Sequence, residues 1–89
     1  MKKTLEIGKM YKTPWKLSSY EASFAPDHML FDWGKRVDIP DGAYVVVLGV
    51  EKYGTQKSYF LKLLTGEVRL AYVEVTEAGL DYWKIVRKD

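Results

Sequence analysis

Residues 43–75 read AYVVVLGVEKYGTQKSYFLKLLTGEVRLAYVEV, three apolar runs separated by interruptions around Gly54 and Thr65-Gly66. Val, Tyr, Phe and Leu dominate the runs, and β-branched and aromatic side chains suit a pleated, half-buried surface. The stretch therefore predicts a β-meander: a strand over 43–51, a loop over 52–57, a strand over 58–64, a two-residue Thr65-Gly66 connection and a strand over 67–75. Gly66 is placed to supply a positive φ. Within the first run Tyr44-Val45-Val46-Val47-Leu48 is apolar on both parities, so both of its faces need cover, from the core on one side and from the long loop or a partner subunit on the other.

Outward from the meander, residues 5–13 alternate loosely, with a bend at Gly8, and predict a first strand that Pro14 ends because proline lacks the ladder donor. Residues 15–40 mix aromatics with Ser, Pro, Asp and Gly and show no helical period. They predict a broad irregular excursion with short extended arms near 15–20 and 29–33, a tip at Ala25-Pro26-Asp27-His28, and Trp33-Gly34 turning the chain back. Val37 to Gly42, with Pro40-Asp41-Gly42, predicts a tight turn. After the meander, residues 76–81 are too few for a full helix and predict a 3₁₀ turn leading to a last strand over 82–86.

Eighty-nine residues make a single domain, 1–89, whose core must be efficient for its size. Three Trp, seven Tyr and three Phe supply large buried areas and oppose disorder. The chain has no Cys, which excludes disulfides, thiolate metal sites and cysteine nucleophiles. Lys2 and Lys3 precede no apolar run, and the longest such run, 43–50, is far below the ~20 residues of a spanning helix. A cytoplasmic protein without a membrane anchor is the expectation. A net charge of +2 is close to balance and does not by itself predict nucleic acid, although Lys2, Lys3, Lys9, Lys12 and Lys16 cluster early and Arg87 and Lys88 sit near the other end.

The order of strand, long loop, tight turn, three-strand meander, 3₁₀ turn and short last strand resembles the SH3-like barrels. Ile39-Pro40-Asp41-Gly42 is similar to their diverging turn, Tyr59-Phe60-Leu61 falls where paired aromatics often stand, Thr65-Gly66-Glu67 resembles the distal hairpin, and Ala71-Tyr72-Val73 is similar to the element that closes the barrel. In length and style the chain resembles small SH3-like proteins of phages and marine metagenomic sequences. The resemblance implies an all-β, five-stranded SH3-like barrel with a long RT-type loop. Peptide-binding members line an aromatic groove for polyproline II ligands. Tyr11 matches the first tyrosine of that groove and Tyr59 stands in place of its indole, but Thr13 occupies the second tyrosine's position, no proline follows Val73, and Tyr82 is only roughly placed. These departures speak against a proline-peptide groove.

No glycine-rich phosphate loop, serine elbow or metalloprotease signature is present, so the expectation is a binding or assembly module rather than an enzyme, with no cofactor. His28 is the single histidine, and Asp27, Asp32, Asp38 and Asp41 match no calcium-loop spacing, so no metal site is expected. The leading reading is interaction with a protein or peptide, or self-association through the doubly apolar strand, with Tyr11, Trp15, Trp33, Tyr59 and Tyr82 as candidate ligand residues. The alternative is nucleic-acid binding, in which Lys9, Lys12, Lys16, Lys35 and Arg36 hold phosphates between stacking rings. A satellite core is the plainer expectation for the loop aromatics Trp15, Tyr20, Phe24, Phe31 and Trp33, and a solvated face for the cations.

Overall fold

The computed structural model describes residues 4–25, 28–54 and 56–86. Seven strands and one helical turn follow the chain: β1 (Met10–Lys12), β2 (Leu17–Ala25), β3 (His28–Ile39), β4 (Tyr44–Tyr53), β5 (Gln56–Leu63), β6 (Arg69–Thr76), α1 (Glu77–Leu80) and β7 (Lys84–Ile85). They form one antiparallel sheet in the order β3-β2-β6-β5-β4-β1-β7, whose two end strands are not paired with each other among the described residues. The all-β expectation holds, and the strand count differs from five. Among the described residues no helix is long and apolar enough to cross a membrane.

The two extra strands come from residues 15–40, where an irregular excursion was expected. β2 and β3 instead pair continuously from Leu17↔Ile39 to Ala25↔His28. Alternation is present at the base of this hairpin: Leu17, Ser19, Val37 and Ile39 point into the core while Ser18, Arg36 and Asp38 face solvent. Serine at an inward position hides the pattern, and Ser19 is accommodated because its Oγ donates to Val37 O at 2.6 Å. Trp33-Gly34 does not reverse the chain. The register jumps from Tyr20↔Arg36 to Glu21↔Asp32, so residues 33–35 form a bulge inside β3, held by the Gly34 amide donating to Asp32 Oδ1 at 2.8 Å. The tip residues Pro26 and Asp27 lie outside the described residues.

In the meander, β4 and β5 run on to the Tyr53↔Gln56 pair, so the loop expected over 52–57 shrinks to 54–55, of which Thr55 lies outside the described residues. The second connection widens to 64–68, since β6 begins only at Arg69, and within it the Leu64 amide donates to the Tyr44 carbonyl while the Thr65 hydroxyl accepts from the Tyr44 amide. Gly66 has φ 76°, as expected. The first strand is shorter than 5–13, since the chain turns at residues 7–8 before β1. The last strand is shorter than 82–86, since the Tyr82 and Trp83 amides donate to Gly79 O and Leu80 O in closing α1. α1 is itself one α-helical turn rather than the expected 3₁₀ turn, capped by the Thr76 hydroxyl, and its closing bonds are of the 3₁₀ type.

Both faces of the central strands are used. One face carries the main core, with Val45 and Val47 of β4, Tyr59, Leu61 and Leu63 of β5, and Ala71, Val73 and Val75 of β6, joined by Leu5, Tyr11, Leu80 and Trp83. The other carries Phe60 and Tyr72, a cross-strand pair with ring centroids 4.8 Å apart, together with Ala22 and the partly buried Leu48 and Met29. The apolar outer face of β4 is thus covered in part by the β2–β3 hairpin, while Tyr44 stays exposed. Cover comes from the long loop, as one of the two expected routes.

The turn from β3 into β4 is fastened by Thr13. Its Oγ1 donates to Pro40 O at 2.8 Å and accepts from the Ala43 amide at 2.9 Å, and its carbonyl accepts from Gly42, whose φ of 74° requires glycine. Thr13 is buried, which is why a small hydroxylated residue stands there and not a ring. Thr13→Val keeps the shape and removes both hydroxyl bonds, and should cost about 1–3 kcal/mol in urea denaturation. Thr13→Ser, which keeps the hydroxyl, should lose less than half of that.

Candidate functional site

The residues after β1 and the residues after α1 meet on one side of the sheet. Trp15 is 41% exposed and Tyr82 63% exposed, and their rings touch in a tilted arrangement with centroids 5.6 Å apart and planes at 58°. The Trp15 ring also lies against α1: a Cβ at Gly79 would stand 3.5 Å from Trp15 Cζ2. Pro14 directs the chain out of β1 and into this contact. Lys12, Thr13, Pro14, Trp15, Asp41, Tyr82 and Lys84 line a groove of about 320 Å³. Its lining combines two cations and one carboxylate with two aromatic rings.

Local alternation explains who faces the groove. Tyr11 points into the core and Lys12 out of it on β1, and Trp83 points in while Tyr82 and Lys84 point out around β7. The β1–β7 register sets Lys12 opposite Lys84, and the β1–β4 register sets Lys12 opposite Tyr44. The aliphatic stem of Lys12 runs close to Gly42, where an added Cβ would be 3.4 Å from Lys12 Cε.

Of the five candidate ligand residues, Trp15 and Tyr82 come together here. Tyr11 and Tyr59 are elsewhere: both are buried in the main core, where their hydroxyls accept from the Glu6 and Leu5 amides at 2.9 and 3.1 Å and hold residues 4–6 against the sheet. Burial raises the Tyr59 phenol above its ordinary pKa, against the opposing pull of the Leu5 amide. Neither ring offers a face to a ligand. The Trp33 side chain lies outside what the structure describes.

The five cations of the nucleic-acid alternative do not assemble. Lys12 is in the groove, Lys9 borders a separate depression with Glu6, Met10 and Ile85, and Lys35 and Arg36 sit on β3 at and beside the bulge. Arg36 is already engaged, with its guanidinium on Ser18 Oγ and 5.4 Å from the Tyr20 ring centroid. Lys16 is exposed beside Trp15. The terminal cations Lys2, Lys3, Arg87 and Lys88 lie outside the described residues. Two groove residues, Asp41 and Lys84, were missed as candidates. Lys84 was legible in principle, since the pattern Tyr82-Trp83-Lys84 with an inward indole puts both flanking residues on the same outer face.

Neither a family model, nor a curated protein, nor a solved structure matches this chain.

Proposed function

We propose that this protein is a non-catalytic binding module built as an SH3-like barrel, and that it holds an extended segment of a protein partner against Trp15 and Tyr82. The strand order β7-β1-β4-β5-β6-β2-β3, with a helical turn between β6 and β7 and a long hairpin inserted after β1, supports the barrel reading. The observation that carries the functional reading is the Trp15–Tyr82 pair: two large rings from opposite ends of the chain, in contact with each other and left exposed over a groove. Exposed aromatic anchors in a concave site are where protein interfaces concentrate their binding energy.

Selection from a displayed library of random peptides tests this. Binders should be enriched, and Trp15→Ala and Tyr82→Ala should each weaken them by about tenfold or more. Tyr82 is 63% exposed and its variant should melt close to the parent, whereas Trp15 packs on α1 and its variant should lose some stability, so binding is measured well below its melting transition. Failure to enrich any binder, or binders indifferent to both substitutions, would overturn the proposal.

A further inference from the structure

Lys12 and Lys84 are directly opposite on neighbouring antiparallel strands, both exposed, at the rim of the Trp15–Tyr82 groove. Like charges so placed are about 4.5–5.5 Å apart at Cβ and oppose strand pairing. β7 is only two residues long, so it is poorly able to offset that repulsion. Neither lysine has an ion-pair partner among the described residues, Asp41 included. The pair works against the fold and is suited to an anion.

We infer that the groove selects acidic peptides: an extended segment whose apolar residue seats on Trp15 and Tyr82 and whose flanking carboxylate bridges Lys12 and Lys84. The inference rests on the peptide-binding reading above and adds the chemistry of the partner. Asp41 favours a peptide over a nucleic acid, because its carboxylate can accept a backbone amide, a donor that a phosphodiester chain lacks. The scatter of the remaining cations argues the same way, since a nucleic-acid track needs charges in line.

The test uses fluorescein-labelled octapeptides in which a central leucine is flanked by glutamates or by glutamines in a serine-glycine frame, and a short oligothymidylate, titrated in fluorescence anisotropy. The glutamate peptide should bind roughly 2- to 30-fold more tightly than the glutamine peptide at low salt. Raising the salt about tenfold should shrink that ratio. Lys84→Glu should abolish the preference while raising the melting temperature by about 1–6 °C, because it turns a repulsive cross-strand pair into an attractive one. Equal binding of both peptides, or a preference that survives Lys84→Glu, would overturn the acidic selectivity and leave the groove as a peptide site. Oligothymidylate binding above the glutamate peptide would overturn it in favour of nucleic acid. No binding by either peptide would overturn it as well, and the library selection then decides the groove reading separately.

Discussion

Tyr59→Ala should lose about 3–5 kcal/mol of stability in urea denaturation. The side chain is 0% exposed at the centre of the main core, and this is the cost of truncating a buried ring of its size. A domain of this size has a total stability of about 4–13 kcal/mol, so the loss takes a large share of it. Tyr59→Phe isolates the hydroxyl. It leaves the buried Leu5 amide without its acceptor and should cost about 1–3 kcal/mol in urea denaturation. The same hydroxyl contributes to the alkaline limit. Burial raises the phenols of Tyr59 and Tyr72, the latter with Glu51 and Glu74 adding to the effect and the Ser58 bond opposing it. A raised folded-state value means that the unfolded chain ionises first. The stability these phenols contribute is therefore complete below about pH 10 and is lost as the pH rises through their folded values. Tyr59→Phe should flatten that loss and leave the part due to Tyr72. Equal stability and an unchanged alkaline midpoint in Tyr59→Phe would show that the Leu5 bond contributes nothing.

Gly49→Leu should loosen the packing of the distal half of the β2–β3 hairpin on the back of the sheet. Gly49 sits at the irregularity where the β4–β5 register shifts, and the space its side chain would fill is taken by the end of Met29, with Phe60 next to it. Gly49 does not have a positive φ, so the effect is one of room rather than backbone strain. Overpacking of this kind costs about 1–3 kcal/mol. The loss should appear as faster amide exchange in β2 and β3 beyond the bulge, while the base of the hairpin, anchored by Leu17, Val37 and Ile39, stays protected. Met29→Ala in the same chain should recover at least half of the lost stability, because it vacates the contested volume. Unchanged exchange in Gly49→Leu, or no recovery in the double variant, would show that Met29 does not fasten the hairpin.

The second face of the sheet is the clearest gap between what could be read and what formed. Phe60 and Tyr72 share a parity with the exposed Lys62 and Glu74, so alternation turns both rings outward, but it does not say that this face is covered. Their burial follows from pairing register, with Phe60 opposite Tyr72 and Tyr72 opposite Tyr20 under the β2–β3 hairpin. Lys57 shows the converse. It falls in the loop expected over 52–57 but is buried in a strand, with Nζ donating to Thr4 Oγ1 at 2.7 Å, because β5 begins earlier than its apolar run and residues 4–6 fold back over it.

What the chain's local pattern determined by itself was the all-β class, the three meander strands to within a few residues, the turns at Gly42 and Gly66, and a helical turn before a short last strand. These depend on period-two burial and on backbone positions only glycine adopts readily, both of which act between near neighbours. Tertiary structure alone decided that residues 15–40 form a long hairpin, that Tyr11 and Tyr59 turn inward to hold residues 4–6, and that Trp15, Tyr82, Lys12 and Lys84 share one groove. Those outcomes depend on strand register between distant segments. A shift of one residue exchanges the two faces of a strand, and no local preference encodes which register the whole sheet will bury best.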